Sequence, residues 1–178
     1  MGLKFIDVII PFADSIDELM VTINSLKSQN NFINKVFIVA SGPNKKKNYN
    51  ELKNNLEPYQ YGLDIQVILD LNLQTTPGTA RNIAIKESLH TSSNFIGFID
   101  CGMVVSENWI TSFYKVMNIN FIRIGCTKYK ATRGAQLISA LLSYGTRVSK
   151  NSVPGTIIRK DKCIEFPILE RWGEDIIW

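Results

Sequence analysis

The chain has 178 residues, 45% of them hydrophobic and 20% charged, with a formal net charge of +4. That is an ordinary composition for one soluble domain able to bury a core. The mild charge, part of it in the run Lys45-Lys46-Lys47, lacks a basic stripe interleaved with aromatics, which argues against nucleic-acid binding. Three widely spaced cysteines and the single His90 argue against a zinc site and point to free thiols in a reducing cytoplasm. No apolar run approaches a membrane span and the N-terminus lacks a signal-peptide layout, which leaves peripheral membrane contact open.

In chain order, Phe5 to Phe12 is a β-branched run ended by proline and reads as a buried first strand. Asp14 or Ser15 can cap the helix that follows. Ile16, Leu19, Ile23 and Leu26 recur there at helical spacing, with Asp17 and Glu18 in the acidic first turn. Lys35 to Ala40 predicts a second strand stopped by Ser41-Gly42-Pro43. The segment from Asn44 to Leu56 predicts a loop plus a modest surface helix. Asp64 to Leu69 predicts a third strand. Thr76 suits an N-cap and Pro77 the first helical position. This helix start reads either as an anion site, with Gly78 exposing backbone amides and Arg81 one turn in, or as an ordinary capped helix.

The stretch Phe95 to Val105 is the centre of the pattern. Its apolar run predicts a buried fourth strand delivering Asp100 to the carboxyl edge of the sheet, where open α/β sheets bind ligands, although a lone aspartate there reads more readily as a cap of the next turn. Ser106 can cap a further helix whose Trp109, Ile110, Phe113, Val116 and Met117 form a core-facing stripe. Asn120 to Cys126 predicts a fifth strand, Gln136 to Tyr144 a helix or long loop, and Val153 to Lys160 a last strand. Alternating strands and helices predict a single three-layer α/β domain, residues 1–178, with a mainly parallel central sheet. Glycine patterns for dinucleotide and P-loop sites are absent.

Four segments in this order resemble the nucleotide-sugar glycosyltransferases of the GT-A (Rossmann-like) fold, family-2 type. They are Val8-Ile9-Ile10-Pro11-Phe12, Gly78-Thr79-Ala80-Arg81-Asn82-Ile83-Ala84-Ile85, Phe98-Ile99-Asp100-Cys101-Gly102 and Trp172-Gly173-Glu174-Asp175. The resemblance implies that Pro11, Phe12, Ser41, Arg81 and Asp100 bind the nucleotide sugar. It also makes Asp100 the metal carboxylate, Asp175 the catalytic base and Glu174 an acceptor-positioning group. Trp172 either stacks on a sugar or packs in the core. The implied reaction moves a sugar from a nucleoside-diphosphate donor to a hydroxyl of a sugar or glycoconjugate acceptor, with inversion, in polysaccharide or glycoconjugate assembly. The implied cofactor is a divalent cation, Mn²⁺ or Mg²⁺, which suits oxygen ligands.

Three departures bear on that reading. Gly102 stands where the family has its second metal aspartate, which weakens the expected cation site. Val39-Ala40-Ser41-Gly42 lacks the acidic residue that usually meets the nucleotide base. The chain stops three residues after Asp175, where the family continues, and so reads as a fragment of a longer protein. These departures favour the alternative, a non-catalytic nucleotide-sugar-binding or interaction module on the same fold. A nucleotidyltransferase-like relative ranks third, because a glycine-rich loop is missing after Ile10.

Overall fold

The computed structural model describes residues 5–13, 15–56, 59–116, 123–125, 127–128, 148–149 and 153–167. Four parallel strands form the middle of the sheet: β1 (Ile6–Phe12), β2 (Ile33–Ala40), β4 (Leu63–Leu69) and β5 (Phe95–Phe98). The short β3 (Tyr59–Gln60) runs antiparallel at one edge. At the other edge β9 (Thr156–Arg159) lies antiparallel between β5 and β6 (Arg123–Gly125). The order is β3-β4-β2-β1-β5-β9-β6, and β7 (Thr127–Lys128) and β8 (Val148–Ser149) pair apart from it.

Side chains of a strand alternate between faces, and both faces here are covered, so two cores form. Ile6, Val8, Ile10 and Phe12 of β1 pack with α1 (Ile16–Leu26), α2 (Lys45–Asn55) and α4 (Trp109–Val116) on one face. Ile9, Phe37 and Val39 pack with α3 (Pro77–Ser88) on the other. The expected three layers and mainly parallel sheet are present.

Local chemistry explains the boundaries. Ser15 caps α1, its Oγ accepting from the Glu18 amide at 3.3 Å. Thr76 caps α3, with Pro77 opening it. The modest surface helix expected between Asn44 and Leu56 is present and takes up nearly the whole segment, starting at Lys45 in place of the expected loop and anchored by buried Asn48 and Leu52. Asn48 Nδ2 donates to the Ala13 carbonyl at 2.7 Å. The helix expected after Ser106 begins at Trp109, where the Gln29 side chain accepts from the Ile110 amide at 2.6 Å. Trp109 lies across Gly97 and donates Nε1–H to the Gly155 carbonyl at 2.9 Å. The strand expected from Val153 to Lys160 is shorter, and antiparallel. The helix or loop expected over Gln136 to Tyr144 lies outside the described residues.

One polar cluster interrupts the core at the amino end of the sheet. Asp7 is fully buried on the α3 face and accepts from Ser88, Thr91 and Ser93 hydroxyls at 2.6, 2.5 and 2.6 Å. Asn34 Nδ2 at 2.9 Å and Lys160 Nζ at 3.2 Å complete its shell. Burial pushes the Asp7 carboxyl up, but the bonds from Ser88, Ser93, Thr91 and Asn34 outweigh it and hold the group below the usual carboxylate range.

Candidate functional site

The chain runs outward from β1 through β2 to β4, then returns to the other side of β1 with β5. Ligands of open α/β sheets bind where the strand order reverses, at the carboxyl ends of the strands. A cleft of about 280 Å³ lies there, lined by Pro11, Glu18, Ser41, Gly42, Thr76 and Asp100 among others.

β5 delivers Asp100 as expected. The ladder ends with the Ile99 amide donating to the Ile9 carbonyl at 3.1 Å, and the chain then turns, with the Met103 amide bonded to the Asp100 carbonyl at 3.1 Å. Gly102 makes that turn at φ +86°, the left-handed region where glycine is favoured. Two side chains of α1 hold the turn. Thr22 Oγ1 accepts from the Gly102 amide at 2.9 Å and Ser25 Oγ from the Val105 amide at 3.2 Å. The Asp100 side chain stays 42% exposed in the cleft.

Arg81 and Asp100, chosen separately from the sequence, meet. The Arg81 guanidinium, only 3% exposed, donates Nη2–H to Asp100 Oδ1 at 2.8 Å. A charge-assisted bond from so buried a donor fixes the direction of the carboxylate. Arg81 Cζ also lies 5.2 Å from the centre of the Phe166 ring. Next to it, Asn82 clamps the Phe166 backbone, donating Nδ2–H to its carbonyl at 2.9 Å and accepting from its amide at 2.7 Å.

The other predicted residues divide. Pro11 and Ser41 line the cleft. The Ser41 hydroxyl donates to the Phe12 carbonyl at 3.2 Å, tying the exits of β2 and β1 together. Phe12, expected to contact the nucleotide, is fully enclosed in the core beneath the cleft, because its position in β1 points to the α1 face. Glu174 and Asp175, together with Trp172, lie outside the described residues.

The start of α3 is a closed cap. Thr79 donates its amide to Thr76 Oγ1 at 3.1 Å, while Thr79 Oγ1 accepts from the Thr76 amide at 2.8 Å. Pro77 has no amide to offer, so capping takes up donors that an anion site would need. Fully buried Asp70 supports the cap, Oδ2 accepting from Thr79 Oγ1 at 3.3 Å. Neither Asp70 nor Glu18 was singled out for the site by sequence reasoning. Glu18 had a signal, since Glu18, Thr22 and Ser25 form a polar line at helical spacing on one face of the helix.

Whether the cleft suits a divalent cation turns on its donor set. Among the described residues no three His, Cys, Asp or Glu side chains meet, so the described residues alone offer too few ligands. Two carboxylates, Asp100 and Glu18, do line the cleft, and hard cations such as Mg²⁺ settle for one or two carboxylates when phosphate oxygens and water supply the rest. The residues therefore fit a cation held jointly with a diphosphate. Among the described residues no helix is long and apolar enough to cross a membrane.

No protein-family model and no curated protein sequence matches the chain. Solved structures do match in fold. Residues 1–349 of TarS from S. aureus superpose with a TM-score of 0.55 at 17% identity, covering 96% of this chain and 52% of that one. The mannosyltransferase PcManGT from Pyrobaculum calidifontis, solved with GDP-Man and Mn²⁺, gives 0.58 at 12% identity, covering 91% and 47%. A 4-diphosphocytidyl-2C-methyl-D-erythritol synthase from Anaerococcus prevotii gives 0.53 at 17% identity, covering 89% and 72%. The chain thus spans about half the length of the TarS fragment and of the mannosyltransferase. At these identities the likeness establishes the fold, a GT-A-like α/β sandwich.

Proposed function

We propose that this chain is the donor-binding part of a glycosyltransferase that moves a sugar from a nucleoside diphosphate to a hydroxyl of a sugar or glycoconjugate acceptor. The observation that carries the reading is the Arg81–Asp100 pair, set at the switch point of a GT-A-like sheet with the Asp100 carboxylate open to the cleft. Support comes from fold neighbours solved with such donors, TarS with UDP-GlcNAc and PcManGT with GDP-Man and Mn²⁺. Three widely spaced cysteines with no close pair in the sequence accord with a cytoplasmic setting.

Each residue then has a task. Pro11 and Ser41 border the nucleotide, and Asp100, oriented by Arg81, faces the diphosphate end of the donor. Asp100 and Glu18 are the residues that would hold a divalent cation, which when bound supplies positive charge to the departing diphosphate. The acceptor hydroxyl attacks the anomeric carbon on the face opposite the diphosphate. The carbon–oxygen bond to the acceptor forms as the bond to the diphosphate breaks, which inverts the centre. Asp175 takes the acceptor proton and Glu174 positions the acceptor.

One observation favours the second reading, a nucleotide-sugar-binding module without turnover: Gly102 offers no side chain where the family carries a metal aspartate. Transfer and hydrolysis assays with a panel of nucleoside-diphosphate sugars, on the wild type and Asp175→Ala, separate the two. The expected result is turnover lost in the variant with donor binding retained. Equal turnover in both proteins removes Asp175 from the mechanism, and donor binding without any turnover selects the module.

A further inference from the structure

Gly102 leaves a gap in the expected acidic pair, and the structure puts another carboxylate against it. A Cβ built on Gly102 would lie 3.3 Å from Glu18 Oε2 and 3.6 Å from Glu18 Cδ. The Glu18 carboxyl group therefore lies in tight contact with the point from which a side chain at position 102 would start. This is a consequence of how α1 meets the turn. Glu18, Thr22 and Ser25 share one helical face, and Thr22 and Ser25 each accept a backbone amide of the turn. Two bonded points set the register, and Glu18 is the next residue along the same line. It lines the cleft together with Asp100.

We propose that Glu18 replaces the missing aspartate, so that Glu18 and Asp100 hold a divalent cation together with the donor diphosphate. This rests on the nucleotide-sugar reading and deepens it. Two carboxylates and a diphosphate brought into one cleft repel one another unless a cation stands between them. Arg81 is bonded to one Asp100 oxygen and so orients the group, as hydrogen bonds to ligating carboxylates generally do. With only these two carboxylates among the described residues to hold the cation, cation and nucleotide bind cooperatively: each weakly by itself, both tightly together.

The test is calorimetric titration of the chain with UDP, GDP, CDP, ADP and dTDP, each with and without MnCl₂, and of MnCl₂ alone. Wild type should bind one nucleotide at least about tenfold more tightly with Mn²⁺ than without. Glu18→Gln should cut that enhancement to less than about twofold, since even outer-shell changes at metal sites cost about 10–100-fold. Binding without Mn²⁺ should stay the same or improve in this variant, because a negative charge has gone. The variant keeps the Glu18 amide that bonds to Ser15, and melting curves check that it folds. Asp17→Asn, an exposed acid one residue away, should retain the enhancement. Nucleotide binding indifferent to Mn²⁺, or equal losses in Glu18→Gln and Asp17→Asn, overturns the role of Glu18 and leaves the nucleotide reading standing. Failure of every nucleotide to bind even with Mn²⁺ overturns both.

Discussion

Replacing Asp7 with asparagine should destabilise the domain severely, although Asp7 lies at the end of the sheet away from the cleft. The carboxylate is 0% exposed and every described group around it is a donor: three hydroxyls, the Asn34 amide and Lys160. An asparagine keeps one oxygen but adds an NH₂ to a shell of donors, and it strands a Lys160 ammonium that is itself only 11% exposed. Removing one partner of a buried ion pair costs about 3–5 kcal/mol, and hydrogen bonds to a charged group are worth about 1.5–3 kcal/mol each. Rotation of the hydroxyls recovers part of this; the Thr91 hydroxyl already reaches the Ser88 carbonyl. We take about 3 kcal/mol, a large share of the roughly 5–15 kcal/mol that holds a domain folded. At about 2–4 °C per kcal/mol for a chain of this size, Tm should fall by about 6–12 °C. The pH dependence has a definite sign. A carboxyl whose folded pKa is depressed contributes its full stabilisation above the unfolded value near 4 and loses it as pH falls through the folded value. The gap between wild type and Asp7→Asn should therefore be widest at neutral pH and close in acid. Thermal melts of wild type, Asp7→Asn, Lys160→Met and the double variant measure all of this, with a coupling of at least about 1 kcal/mol expected between the two sites. A Tm loss under about 2 °C at neutral pH, a gap unchanged in acid, or simple additivity would refute the reasoning.

Two further predictions concern packing and thiol chemistry. Gly97→Ala should cost about 1–3 kcal/mol in urea unfolding, because the new Cβ would lie 2.6 Å from Trp109 Cη2 and the indole is tied to the Gly155 carbonyl. Cys163 should resist alkylation, since burial pushes its thiol up to about 12 and the thiolate is the reactive form. Peptide mapping after iodoacetamide at about pH 8 should find Cys163 modified at least about 100-fold more slowly than a free cysteine of ordinary pKa near 8.5.

Much of the fold was legible in the residues because the signals are local. β-branched apolar runs mark β1, β2 and β4, Ser15 and Thr76 mark helix starts, and the polar residue after an apolar run marks the strand end where Asp100 sits. The helix between Asn44 and Leu56 extends over the lysine run, where a loop is expected, because Asn48 reaches Ala13, a contact invisible to local propensity. The antiparallel setting of β9 was equally hidden, since an apolar run carries no direction.

The candidate site divides along the same line. The apolar run ending at Asp100 pointed to the carboxyl edge of the sheet, and the resemblance of four ordered segments to a known family named Asp100 and Arg81 as site residues. Only the tertiary structure joined those two into an ion pair, enclosed Phe12 in the core and surrounded Asp7 with donors. It also set Glu18 against Gly102, through a helix-to-turn contact between residues 80 apart in the chain. Which face a strand residue occupies, and which helix lies over which turn, depend on how the whole sheet stacks its layers, and no local spacing encodes that.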